Sequence, residues 1–420
     1  MRVRTARGLV ALGAIVATAS LALTGCSGGG SAGSGGQDGG SADAQGGAKT
    51  LTVWVDADRA KVLKDVAAKF TKESGVKIKL VQKDNSKMEQ DMISQIPTGK
   101  GPDIAVGAND WTGQLVTDGV IQPVELGDKT GDYEDVAVKA FTYDGKVYAL
   151  PYSIENIAIL RNTKLAPKAA TSWKDMMAKG KKSGAQYPFL VQVGEHSDPY
   201  TLYPLQSSFG GGVFAKKADG SYDADKLTIG DDSGVAFAKW LKKAGQEKLL
   251  STSMTPDIAV EKFDGGKAAY WLTGPWNVAA AQQAGIDVAI DPIPSLGGKT
   301  ASPFVGVQGF FISSKTKNKI AANDFLVNYL GTESVQKALY KVGNRPPALK
   351  SAFESVSSDP IMQGFETVSK TGTPMPNVPA MAAVWQYWGD TEAAIIDQKG
   401  DPAALWKKMT SNIQSAIDKQ

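Results

Sequence analysis

Between residues 51 and 106 the chain alternates strand-like and helix-like stretches, and that alternation restricts the fold more than any other feature. Residues 51–55 (LTVWV) are a β-rich run, and Leu63, Val66, Ala67 and Phe70 then fall at i, i+3, i+4 and i+7 on one apolar helix face. Val76, Ile78 and Leu80 alternate as a second strand. Met88, Met92, Ile93 and Ile96 mark a second helix, and residues 103–106 form a third strand after a loop at 97–102. A β-α-β-α-β order predicts an α/β fold with a mainly parallel sheet and helices on its faces. With 420 residues the chain exceeds one ordinary domain core, so two such lobes are expected.

The second unit starts after two strands, 146–152 and 157–161, that flank residues 153–156, a candidate crossing between lobes. A helix at 173–182 and a strand at 189–193 follow. Asp198, Pro199 and Tyr200 open a helix that runs to Phe209 and is stopped by Gly210, Gly211 and Gly212. Ala236, Phe237, Trp240 and Leu241 give a further helical stripe. Residues 304–313 read as a strand returning to the first lobe, 320–340 as helices, and the tail from Pro360 as helical, with an aromatic cluster at Trp385, Tyr387 and Trp388.

The first 25 residues stand apart from both lobes. Arg2, Arg4 and Arg7 precede an uncharged apolar run at 9–23, long enough for a signal segment and short for a membrane span. Cys26, the only cysteine, follows Leu23, Thr24 and Gly25; this resembles the lipobox of bacterial lipoproteins, which implies cleavage before Cys26 and a lipid on it, palmitate included. Residues 26–48 are mostly Gly, Ser, Ala, Asp and Gln and should behave as a flexible tether. Removing the leader leaves 43 basic against 43 acidic residues, so no net basic field favours nucleic acid as a partner. Membrane attachment is expected only through the lipid, on the outer face of the cell membrane.

Residues 265–277 (GGKAAYWLTGPWN) read as a buried strand, a turn and a helix start. Thr273 and Gly274 supply the turn, and Pro275 suits a first helical position. Trp276 is thus expected just past the carboxyl end of a strand, where open α/β sheets bind ligands; plain core packing is the competing reading for a tryptophan.

Catalysis by metal or thiol has little to work with. There is one histidine, His196, and one cysteine, in the leader, so neither a His/Cys zinc site nor a Cys-His nucleophile can be assembled. No metal and no cofactor is expected, and His196 reads as a surface loop residue. What remains is a set of carboxylates, Asp58, Asp110, Glu155 and Asp198, and a set of rings, Trp111, Tyr200, Trp276, Trp385 and Trp388, all at strand ends or helix starts. A pyranose packs its C–H face on an aromatic ring and donates its hydroxyls to carboxylates, so the combination suits sugars. It would equally serve a glycosidase, which needs two carboxyl groups astride the bond.

The body resembles the maltose/maltodextrin-binding protein family, extracytoplasmic solute-binding components of ABC importers. The likeness runs in order through LTVWV at 51–55, GPDI at 101–104, DPY at 198–200, TGPW at 273–276, PFVGV at 303–307 and MPNVP at 375–379. It implies a periplasmic-binding-protein-like fold with a ligand cleft between the lobes. One lobe would take 49–154 plus 309–358, the other 157–304 plus 360–420 with the C-terminal helices. Asp58 and Arg59 match the family's Asp-Lys pair on sugar hydroxyls, Asp110 and Glu155 its further carboxylates, and Tyr200, Trp276 and Trp385 its stacking rings. The chain departs from the pattern at Gly107, where the family has tryptophan, and at Trp111 and Gly389, where it has arginine. Trp111 and Trp388 are the neighbours placed to replace those contacts.

The resemblance implies high-affinity binding of a maltooligosaccharide or related α-glucoside by a monomer. Delivery to an ABC permease with its ATPase would follow by lobe closure, without catalysis. The alternative from another class is a lipid-anchored glycoside hydrolase using two of Asp58, Asp110 and Glu155. A surface adhesion module would need no ring-lined cleft.

Overall fold

The computed structural model describes residues 50–218 and 221–419. The leader, Cys26 and the tether at 26–48 lie outside the described residues. Among the described residues no helix is long and apolar enough to cross a membrane.

The expected alternation is present. Strand Thr50–Val55 pairs in parallel with Lys77–Gln82 on one side (Val53 opposite Leu80) and with Ile104–Ala108 on the other (Val53 opposite Ile104). Helices Ala57–Ser74 and Asn85–Gln95 make the crossovers. Leu63, Ala67 and Phe70 are buried on one face of the first, as their spacing requires. Asp56 caps that helix by accepting from the backbone N–H groups of Asp58 and Arg59, each at 3.0 Å.

The parallel core is only part of this sheet. Strand Phe304–Ser313 enters antiparallel to Ile104–Ala108 and also carries Ala149–Asn156 and Ile121–Gln122 antiparallel to itself. The first sheet is therefore mixed. In the second lobe a four-stranded sheet runs Val288–Asp291, Ala158–Asn162, Tyr270–Thr273, Leu190–Val191, and only its last pair is parallel.

Residues 153–156 are not a loose crossing. Strand Ala149–Asn156 runs through them, and Ile157 alone, fully buried, separates it from Ala158–Asn162. Two further passages complete the join. The strand Phe304–Ser313 starts at Phe304 in the second lobe's core and reaches the first lobe's core by Val305, while the chain between helices Lys350–Val356 and Pro360–Ser369 returns it.

Separate buried cores distinguish the lobes. The first gathers Leu51, Val53, Phe70, Phe141, Phe310 and Phe325. In the second lobe, strand Tyr270–Thr273 is buried on both faces: Tyr270 and Leu272 join a cluster with Phe237 and Trp406, and Trp271 joins another with Phe263 and Phe365. Two-sided burial explains why this stretch reads as continuously apolar.

Candidate functional site

A cleft of about 820 Å³ opens at the carboxyl ends of the strands Ile104–Ala108 and Tyr270–Thr273, walled by residues of both lobes. Arg59, Asp110, Trp111, Glu155, Tyr200, Trp276 and Trp385 all line it.

Its polar floor is a chain of side-chain bonds. Arg59, one turn into its helix, pairs with Asp56 and donates to the Tyr152 hydroxyl. Its guanidinium also lies 3.5 Å from Oε1 of Gln308. Gln308 sits where the pairing of Phe304–Ser313 with Ala149–Asn156 shifts register, a bulge that re-aims a side chain. Its amide donates to Oε1 of Glu155 at 2.9 Å, and Arg345 donates to Oε2 of Glu155 at 2.5 Å. Both oxygens of Glu155 are therefore occupied. Burial is the largest single influence on the Arg345 cation and works against it, but Glu155, Tyr152 and Tyr200 together hold Arg345 above the ordinary arginine range. The Arg345 guanidinium lies 5.5 Å from the Trp276 ring centre, a cation–π contact from the first lobe to the second.

Asp110 is differently placed. Its Oδ2 accepts from the Trp385 indole at 2.9 Å, while its Oδ1 is buried with no protein partner. Burial pushes this carboxyl up to about 7, against the lowering effect of the Trp385 bond. The Tyr200 hydroxyl is likewise buried without a partner, and burial pushes it well above the usual phenol range. Rings back this wall: Tyr200 lies 6.4 Å from Trp276 and 6.3 Å from Phe304, and Trp385 lies 6.2 Å from Phe304.

Three expected contacts fall elsewhere. Trp388 does not reach the cleft: it is fully buried in the second lobe's core, stacked behind Trp385 at 5.7 Å and 8°. Their i, i+3 spacing on helix Ala380–Ile396 sets the two rings side by side on one face, with Trp385 at the cleft and Trp388 inward of it. At Gly389 itself a side chain does not fit without movement, since a Cβ there would lie 2.2 Å from the His196 carbonyl oxygen. Asp58 is 67% exposed and paired with Lys61 at 2.9 Å. It lines a side pocket of about 210 Å³ that shares Arg59, Asn85, Trp276 and Arg345 with the cleft. Asp198, at the cleft edge, is spent on capping helix Pro199–Ser207, accepting from Thr201 and Gln192. His196 is exposed at the rim and bonded to Asp390 at 2.7 Å, as a surface loop residue. Trp111, by contrast, does take up the space beside Gly107.

Sequence reasoning missed Arg345, Gln308, Asn85, Gln386 and Met375, all on the cleft wall. A signal existed for Arg345: a buried carboxylate at Glu155 needs a counter-charge, and Pro346 and Pro347 fix the backbone after Arg345. The carbonyl of Pro346 accepts from Ile154 N–H at 2.7 Å, which docks that segment beside Glu155.

Residues 65–364 match the sequence profile of the family described as bacterial extracellular solute-binding protein. The galactooligosaccharide-binding protein of Bacillus subtilis (strain 168) is 30% identical over 369 residues, 84% of this chain and 86% of that protein. The maltodextrin-binding protein MdxE of the same strain is 29% identical over 376 residues, 87% of each. Among solved structures, the Thermus thermophilus maltotriose binding protein bound with maltotriose superposes with a TM-score of 0.81 at 31% identity, covering 87% of this chain and 100% of that one.

Proposed function

The chain belongs to the bacterial extracellular solute-binding proteins, and from that premise we propose that it binds a maltooligosaccharide or related α-glucoside with high affinity outside the membrane and delivers it to an ABC permease and its ATPase. The single observation that carries the reading is the make-up of the cleft wall, in which the rings of Trp111, Tyr200, Trp276 and Trp385 stand beside Arg59, Asp110 and Glu155. A pyranose stacked by its C–H face on these rings would set its hydroxyls against the polar groups beside them. The names of the relatives support an oligosaccharide ligand: two are named for maltodextrin and maltotriose, which are α-glucosides, and one for galactooligosaccharide.

The lobes are assigned as 49–154 plus 309–358 and 157–304 plus 360–420, closing on the sugar as a monomer. Cys26 carries the lipid that holds the protein to the outer face of the cell membrane. The contacts assigned to the sugar are Arg59, Asp110, Trp111, Glu155, Tyr200, Trp276 and Trp385, with Asp58 at the side pocket. Hydrolysis is disfavoured by the chemistry of the carboxylates: Glu155 has both oxygens engaged by Gln308 and Arg345, and Asp58 faces solvent. Neither is an unpartnered carboxylate held opposite Asp110, so intact sugar is the expected outcome.

Calorimetry with maltotriose, longer maltodextrins and galactooligosaccharides tests the proposal, with the sugars recovered and sized afterwards. Saturable binding and intact sugar are expected. Shortened products, or no binding to any of the panel, would overturn it.

A further inference from the structure

Two tryptophans on opposite walls of the cleft share one local design. In the first lobe, strand Ile104–Ala108 ends in the turn Asn109–Trp111, and the Trp111 ring folds back over Gly107. A Cβ on Gly107 would lie 2.3 Å from Cζ3 and 2.4 Å from Cε3 of that ring. In the second lobe, strand Tyr270–Thr273 ends in the turn Pro275–Asn277, and Trp276 folds back over Gly274. A Cβ on Gly274 would lie 2.2 Å from both Cη2 and Cζ3 of that ring. Carbon atoms in contact sit about 3.5–4.0 Å apart, so a single methyl at either site would lift the ring by about 1 Å or more.

Backbone conformation does not call for glycine at Gly274. Its φ is −101°, open to any residue, and Gly107 is likewise outside the left-handed region. What the missing side chain supplies is space. The rings have little room to yield sideways: Phe311 Cε2 stands 3.0 Å from the Gly107 Cβ position, and Trp276 is flanked by Arg345 and Tyr200.

We propose that Gly107 and Gly274 are positioning residues of the binding site, which set how deep the Trp111 and Trp276 rings lie in opposite walls and so fix the gap a saccharide must fill. The proposal rests on the saccharide reading of the cleft. A ring pressed onto bare backbone has few conformers to lose on binding and presents its outer face at a fixed height. A methyl under either ring would push it into the cleft and tilt it away from the sugar's C–H face.

The test uses the mature protein with Gly107→Ala and Gly274→Ala, each alone and combined with alanine at its own tryptophan, Trp111→Ala or Trp276→Ala. Three quantities are read: the near-ultraviolet circular dichroism of the sugar-free protein, the melting temperature, and maltotriose affinity. Each single glycine change is expected to alter the tryptophan dichroism and to weaken maltotriose at least tenfold. On the matching tryptophan-to-alanine background the same change should cost less than twofold. Wild-type affinity in the single variant, or the full loss repeated on that background, would overturn the assignment. Should a glycine variant fail to fold, removing its ring should restore folding, and continued failure would overturn it at that position. If the wild-type protein bound no saccharide, the function proposed above would fall, yet the dichroism would still report whether the rings move. Unchanged dichroism in both glycine variants would overturn the positioning role by itself.

Discussion

The indole N–H of Trp385 donates to Asp110 across 2.9 Å, and this bond joins the two lobes: Asp110 follows a first-sheet strand, and Trp385 packs against the second lobe's core. A contact that spans the cleft favours the approached arrangement of the lobes and is lost when they part. Trp385→Phe keeps the ring and deletes the donor. It is expected to weaken maltotriose by roughly tenfold, about 1.4 kcal/mol. Small-angle scattering should then need more sugar to reach the same compaction.

Asp110 gives the site a pH dependence. Its carboxyl, ordinarily near 3.8, is held at about 7 in the folded protein by burial. A carboxylate accepts a sugar hydroxyl better than the neutral acid, so affinity should rise as pH increases through about 7, and Asp110→Asn should flatten the profile. Stability runs the other way. The folded state keeps a proton that the unfolded chain releases, so the sugar-free protein should lose stability between pH ~4 and ~7 and then level off. Calorimetry and thermal melts across that range check both slopes.

Trp276 and Trp388 should respond oppositely to alanine. Trp276→Ala is expected to cost roughly 2 kcal/mol of binding, about thirtyfold, with little change in melting temperature. Trp388→Ala opens a cavity in the core and should cost about 3–5 kcal/mol of stability. Denaturant unfolding beside sugar titration separates the two.

Arg345 is the partner on which buried Glu155 depends. Arg345→Met should destabilise the protein by about 3–5 kcal/mol through the charge left unpaired, and adding Glu155→Gln should recover much of it. A double-mutant cycle by chemical denaturation measures that coupling.

Cys26→Ala should shift the protein from the membrane fraction to the soluble or mislocalised fraction. Sugar affinity of the body from Gly47 onward should match that of the anchored form. Fractionation, followed by titration of the truncated body, is the measurement.

How much the sequence disclosed depended on the range of the interactions. Trp276 was readable because a strand, a turn and a capping glycine lie within a few residues of it, and local pattern suffices for that. Glu155 was readable as a site residue but not as part of a strand, because Ala149–Asn156 is held by pairing with Phe304–Ser313, about 150 residues away, which local sequence does not record. Trp385 and Trp388 looked equivalent until helix phase placed one on the cleft and the other beneath it. Arg345 and Gln308 went unseen for a similar reason. Their roles depend on docking against Glu155; Pro346 and Pro347 mark a rigid segment after Arg345 but do not record what it docks against.

Strand Phe304–Ser313 begins in one core and ends in the other, and Gln308 projects from its bulge into the cleft between Arg59 and Glu155. In the lobe closure proposed above, the strand that joins the lobes is thus also the one that carries Gln308. A twist along it would re-aim the Gln308 amide, so an opened, empty form is expected to offer the next sugar a differently wired floor. Val305, where the strand enters the first core, and Gln308 are only three residues apart, roughly 10 Å of strand, so a mutation that stiffens this stretch is expected to blunt binding and closure together.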